Sequence, residues 1–233
     1  MRDGYDINRI SGDGYLVLPL SMVRLAHGQD PETCYRIFNY FAEKLEEYSS
    51  DVVLLYTSGL YFNSEEPAYK IRQNTNEQIL NHADELRNLI QQRKDYMPRA
   101  FHYLQLDYVL INSPQYQSYL AKLKKLEKED EEFRGCIEDD IGDREYNEAN
   151  VRFILEEVVT AHIIRQKLVR FPQTLVRSDN WRLIVYPGGY IHADVYQWKH
   201  DVLPKPDDSN QFAGTQYNFD EKEIRTFSAI DEI

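Results

Sequence analysis

The chain has little that would cross-link it or tie it to a metal. Among 233 residues there are two cysteines, Cys34 and Cys136, and both fall inside predicted helices. Two such thiols give no disulfide framework and no cysteine zinc site. Reduced, cytoplasmic residence is the default expectation. Glycine-rich phosphate loops are also missing: no Gly-x-Gly-x-x-Gly follows the first predicted strand, and no Walker sequence occurs. That removes the usual dinucleotide and nucleoside-triphosphate readings of an α/β sheet. Positive charge is scarce. Lys and Arg number 27 against 39 Asp and Glu, a formal net charge of −12. This argues against a general nucleic-acid binder, because phosphate affinity comes from cations. No apolar run approaches the ~18 residues of a membrane-spanning helix. Met-Arg-Asp-Gly-Tyr-Asp at the start of the chain has no apolar signal core. The expectation is a soluble monomer with no metal, no cofactor and no membrane partner.

What is present is a globular composition. Hydrophobic residues make up 42% of the chain, and 18 tyrosines stand against 2 tryptophans. The length supports one sizeable core. A single catalytic-sized domain is expected over residues 1–200, with an acidic, weakly ordered tail over 201–233. Charge is uneven. Acids dominate from Leu126 to Glu148, whereas Arg165, Lys167, Arg170, Arg177 and Arg182 face only Asp179 between His162 and Arg182. A local basic face on an acidic protein is therefore available.

Tyr15-Leu-Val-Leu-Pro-Leu-Ser21 reads as a buried strand that ends abruptly on a serine. Asp30-Pro31-Glu32 starts a helix, with Asp as N-cap and Pro at the first helical position. That helix runs to about Ser49, and strand Asp51-Val-Val-Leu-Leu-Tyr56 follows. Strand, helix, strand in this order makes a parallel pair with a right-handed crossover. A second helix is expected from Asn74 to about Lys94, a strand over 100–104, and a short helix or turn near 107–112. One charged helix is expected from Pro114 to Asp140. Asn147 to Lys167 is apolar nearly all round, the mark of a core helix. Trp181-Arg-Leu-Ile-Val-Tyr186 is a strand stopped by Pro187-Gly-Gly. The fold class is α/β: a Rossmann-like, mainly parallel open sheet flanked by helices.

Such sheets place ligands in a crevice at the carboxyl ends of their strands, which singles out Ser21. A serine at a strand end is most often a turn or cap residue, and no Gly-x-Ser-x-Gly elbow surrounds this one. Glu157 lies on the core helix between Phe153 and Ile164 on one side and Ala161 and Ile154 on the other. A carboxyl in an apolar belt has a raised pKa, the property a general acid or base needs near neutral pH; a structural salt bridge or a partly exposed edge is the equal alternative. Glu156 points some 100° away, towards Arg152 and Thr160, where an ordinary surface pair is expected. Tyr186 ends its strand where its hydroxyl would meet the same crevice, or else packs in the core. His162 is expected to be a core histidine, since no second ligand lies at metal spacing.

Taken in order, these segments resemble the tRNA-dependent cyclodipeptide synthases. Leu18-Pro-Leu-Ser21-Met-Val-Arg24 is similar to that family's Gly-x-Ser-x-x-Asn, and Asp51-Val-Val53 to its following strand. Pro114-Gln-Tyr116 through Asp130-Glu-Glu-Phe133 resembles its Pro-Glu-Tyr…Asp-x-x-Phe helix. Phe153-Ile-Leu-Glu-Glu157 resembles its Tyr-x-x-x-Glu helix, and Tyr186 its later strand tyrosine. The similarity of order spans roughly residues 15 to 190. The departures are Phe153 for tyrosine, Arg24 for asparagine, Pro19 for glycine and Tyr186-Pro187 for Tyr-His. The Glu-Glu helix, Phe171-Pro172 and the Tyr-Pro-Gly ending resemble the fungal arginine-containing members.

The resemblance implies a Rossmann-like catalytic domain like that of class I aminoacyl-tRNA synthetases. It implies aminoacyl-tRNA substrates, no cofactor, and a cyclic dipeptide product made by ping-pong aminoacyl transfer. Ser21, Glu157 and Tyr186 would be catalytic; Pro19, Arg24, Tyr56, Phe153 and Glu156 would bind substrate. Arg87, Arg93, Lys94 and Arg99 would meet the tRNA. The other class of function compatible with these residues is a catalytically silent Rossmann-like module that uses the crevice for a small ligand or a protein partner.

Overall fold

A computed structural model describes residues 15–22, 25, 28–44, 51–57, 68–93, 100–106, 114–168, 181–187, 191–204, 214–218 and 223–226. The chain divides into two compact units. A sheet unit comprises Met1–Leu106, Asn180–Gly189 and Phe212–Ile233; a helical unit comprises Asp107–Asp179 and Tyr190–Gln211.

In the sheet unit β1 (Tyr15–Ser21), β2 (Asp51–Thr57), β3 (Phe101–Gln105), β4 (Trp181–Tyr186), β5 (Gly214–Asn218) and β6 (Glu223–Thr226) form one sheet in the order β3-β2-β1-β4-β5-β6. Every pairing is parallel except β5 with β6. Helices α1 (Pro31–Lys44) and α2 (Ala68–Arg93) make the first two crossovers. Alternation along the strands sets the core. Leu16, Leu18 and Leu20 of β1 and Val52, Leu54 and Tyr56 of β2 are buried with Cys34, Ile37 and Phe38 of α1 and Ile79, Leu86 and Ile90 of α2. Asp30 caps α1 as its sequence predicts, taking the Thr33 amide at 3.1 Å and the Thr33 hydroxyl at 2.8 Å. Burial raises the Asp30 pKa, but these hydrogen bonds outweigh it and hold the carboxyl below its usual range.

Within the segment beyond residue 200, β5 and β6 extend the sheet beyond β4. Pairing with β4 gives this polar segment backbone partners that composition does not reveal.

In the helical unit the single charged helix expected over 114–140 is two: α3 (Pro114–Glu129) and α4 (Glu131–Ile141). Asp130 breaks it. Its backbone is extended (φ −123°, ψ 114°) and its carboxylate accepts the Phe133 amide at 2.9 Å, an N-cap that satisfies a donor a continuous helix would bond internally. Gly142 ends α4 at φ +62°, a conformation in which a side chain is strained. The core helix is α5 (Glu148–Arg165), capped by Asn147, with ten buried residues that include the polar Glu156, Thr160 and His162. Helix α6 (His192–Lys199) completes the unit. Its Asp194 forms a buried two-point ion pair with Arg165, through Nη1–Oδ1 at 2.7 Å and through Nη2 with Oδ2. The short element expected near 107–112 lies outside the described residues.

Candidate active-site crevice

The strand order creates a topological switch point. The chain steps from β1 outward to β2 and β3, then returns to lay β4 against the other side of β1. At such a point the loops leave in opposite directions and a crevice opens at the carboxyl ends of the strands. Ser21 is the last residue of β1 and Tyr186 the last of β4, so both stand at that edge. Ser21 is 4% exposed and lies opposite Thr57 of β2. The Thr57 hydroxyl donates to the Leu20 carbonyl at 3.0 Å and fixes this end of β1. Pro19 is buried opposite Leu55, and Tyr186 is half-buried. Tyr56 is fully buried beneath the sheet, where loss of solvent pushes its phenol well above the ordinary value.

Two residues that sequence reasoning missed organise this end of the sheet. Gln29, 0% exposed, accepts the Ser21 amide on Oε1 at 2.6 Å and donates from Nε2 to the Pro187 carbonyl at 2.8 Å. His82 of α2 lies 2.7 Å from the Gln29 carbonyl through Nε2 and 2.8 Å from the Tyr56 hydroxyl through Nδ1. Burial lowers the His82 pKa, so the ring is neutral. A neutral ring that donates to a carbonyl from Nε2 must accept from the phenol on Nδ1. His82 sits among Ile79, Ala83 and Leu86 on the apolar face of α2; a polar residue in that stripe was the available signal. A glutamine just before a helix cap carries none.

In the helical unit Glu156 of α5 departs from the surface position expected of it, while Glu157 takes the partly exposed edge that was one of its two expected places. Glu156 is the buried one, 5% exposed, with Arg152 Nε donating to Oε1 at 2.7 Å; Glu157 is half-buried. The helical wheel placed Arg152 correctly but not α3. Tyr116, a buried residue of α3, has its phenol pKa raised by burial and then by the charge of Glu156. Phe153 is half-buried, with the Arg144 guanidinium 5.6 Å from its ring centre. His162 is the expected core histidine, 0% exposed, its ring edge-on to Tyr119 at 5.3 Å.

Of the candidate tRNA residues, Arg87 and Arg93 are exposed on α2. Arg93 is engaged by both oxygens of Glu32 at 3.0 and 2.7 Å and lies 4.6 Å over the Tyr35 ring. Its charge is answered within the unit. Lys94, Arg99 and Arg24 lie outside the described residues. Among the described residues no cluster of His, Cys, Asp and Glu is arranged to hold a metal, and no helix is long and apolar enough to cross a membrane.

The sheet order, with Ser21 ending β1 at its switch point, defines a Rossmann-like α/β protein. Solved cyclodipeptide synthases share this fold. The one from Fluoribacter dumoffii superposes with a TM-score of 0.55 at 15% identity, covering 87% of this chain and 88% of its own. The one from Staphylococcus haemolyticus gives 0.52 at 11% identity, covering 94% and 92%. The cyclodipeptide synthase from Candidatus Glomeribacter gigasporarum, solved bound to Phe-tRNAPhe, gives 0.50 at 16% identity, covering 90% and 89%. No protein-family model matches the chain, and no curated protein matches it. At these identities the likeness is one of fold, and it runs over nearly the whole length of both partners.

Proposed function

We propose that this chain is a tRNA-dependent cyclodipeptide synthase that works through a serine acyl-enzyme. The observation that carries this reading is Ser21 at the carboxyl end of β1, at the switch point of a cyclodipeptide synthase fold, with Tyr186 ending the neighbouring strand. In the first step Ser21 Oγ attacks the ester carbonyl of an aminoacyl-tRNA. The bond to the ribose oxygen breaks, the serine proton ends on that oxygen, and the aminoacyl group stays on Ser21. The amine of a second aminoacyl-tRNA then attacks the seryl ester, an amide forms, and Ser21 regains its proton. Attack of the remaining free amine on the second tRNA ester closes the ring and releases the cyclic dipeptide.

Glu157 takes or relays the amine proton or anchors the ammonium, and Tyr186 orients the serine or the aminoacyl group. The activated ester arrives on tRNA, so the scheme calls for no nucleotide or metal. Pro19, Arg24 and Phe153 bound the substrate in this reading, while Tyr56 and Glu156, buried against His82 and Arg152, support the fold instead. Arg87, Arg93, Lys94 and Arg99 meet the tRNA, and the enzyme acts as a cytoplasmic monomer. Arginine as one of the joined amino acids is its finest part and rests on the sequence resemblance.

Ser21→Ala tests it. Incubation with tRNA carrying a labelled amino acid should label the wild type and leave Ser21→Ala unlabelled, both proteins being folded. Extracts of cells overproducing the wild type should contain a cyclic dipeptide by mass spectrometry. Equal labelling of the two proteins refutes the assignment.

A further inference from the structure

The β1–β4 ladder stops at Val17 opposite Ile184, whereas β1 stays paired with β2 as far as Ser21 opposite Thr57. Pro19 accounts for the early stop. Amides two residues apart in a strand point to the same side, so the donor that Pro19 lacks would face the same way as the Ser21 N–H. That N–H is met not by β4 but by Gln29 Oε1, while Gln29 Nε2 reaches the carbonyl of Pro187, the residue after β4. One primary amide accepts from β1 and donates to the end of β4, as an interposed peptide group would. Its orientation is determined: turned over, it would set N–H against N–H and oxygen against oxygen. Gln29 is fully buried, so water cannot replace either bond. Its backbone carbonyl is braced in turn by His82 Nε2, and the Cys34 thiol lies 3.4 Å from the same oxygen.

We propose that Gln29 is the positioning residue for Ser21. Its side-chain amide is a substitute rung across the opened end of the ladder, holding the serine at a fixed separation from the Tyr186-Pro187 end of β4. His82 and Tyr56 are its buried brace. The proposal rests on the reading of Ser21 as nucleophile, and Gln29 acts only through that residue.

Two variants separate the contributions. Gln29→Glu keeps an acceptor for the Ser21 amide but sets a carboxylate oxygen against the Pro187 carbonyl. Gln29→Met removes both bonds without burying a charge, and serves where the glutamate variant does not fold. Single-turnover transfer from labelled aminoacyl-tRNA is followed for wild type, Ser21→Ala and both Gln29 variants, alongside hydrogen exchange of the Ser21 amide.

The expected result is that Ser21→Ala stays unlabelled and both Gln29 variants label ~10²-fold more slowly at saturating tRNA. The half-saturating concentration stays within about twofold, and in Gln29→Met the Ser21 amide exchanges at least ~10-fold faster. Wild-type labelling rates in both Gln29 variants, with Ser21→Ala unlabelled, overturn the positioning role and leave the reading of Ser21 standing. Labelling that persists in Ser21→Ala, or is absent from the wild type, overturns that reading and the proposal with it.

Discussion

Acidification should weaken the helical unit through one residue. His162 is 0% exposed within α5. Burial disfavours its imidazolium, the Arg165 guanidinium adds repulsion, and the weaker pull of Asp194 leaves the pKa at about 4 against an ordinary 6.5. Between those two values the unfolded chain binds a proton that the folded chain refuses. The stabilisation is therefore fully present above pH 6.5 and is lost as pH falls towards 4.

A gap of about 2.5 pH units, at ~1.4 kcal/mol each, amounts to about 3–4 kcal/mol when fully expressed. Applied at pH 5, the same relation gives a loss of about 2 kcal/mol. The assay is urea unfolding of wild type and His162→Phe from pH 7.5 to 5, read as the difference between the two proteins. His82, whose pKa is lowered by burial in the same direction, and the carboxylates are common to both and cancel. The wild type should lose about 2 kcal/mol relative to the variant on going to pH 5. Parallel curves would refute the reasoning, because they would mean that His162 titrates alike in the folded and unfolded chain.

Other perturbations test other parts of the molecule. Glu157→Gln should lower cyclic dipeptide formation by ~10²-fold, the scale of a lost acid or base; Glu156→Gln should act mainly on the melting temperature, because it removes the buried carboxylate that pairs with Arg152. Equal activity losses with unchanged melting would contradict that division. Asp130→Ala removes the α4 cap and should cost ~1 kcal/mol in unfolding experiments. It also removes the acceptor of the Tyr196 hydroxyl at 2.8 Å, so the Tyr196 pKa, raised to about 12 by burial and then by Asp130, should fall in a tyrosine-specific NMR titration. Arg93→Glu should weaken tRNA binding and reduce the salt slope of log affinity by ~0.7–0.9. Glu32→Gln, which frees the Arg93 guanidinium, should strengthen binding, and identical affinities in filter binding would remove this face from consideration.

Strands and core helices were legible because their signals are local. The apolar runs ending at Ser21 and Tyr186 and the all-round apolar α5 are properties of a few consecutive residues, and the switch-point serine followed from them. The break at Asp130 was hidden because the apolar stripe continues across it, and only the capping geometry shows that the helix restarts. The burial of Glu156 depended on which side of α5 receives α3, a tertiary fact that a helical wheel does not contain. Gln29 and His82 were missed for the same reason. Their partners are distant in sequence, with 158 positions separating Gln29 from Pro187 and 53 separating His82 from Gln29.

The separation of Gln29 from Pro187 has a kinetic meaning. β1 is one of the two central strands of the sheet, yet one of its two neighbours is made about three-quarters of the way along the chain. Until residues 181–187 have been synthesised, the β4 side of Tyr15–Ser21 has no partner and the Gln29 amide has nothing to donate to. Closing so long a loop is slow, and an apolar strand left open on one side invites pairing with another chain. The risk falls during synthesis rather than in the finished protein, and a chain interrupted before β4 would carry Ser21 without the rung that sets it.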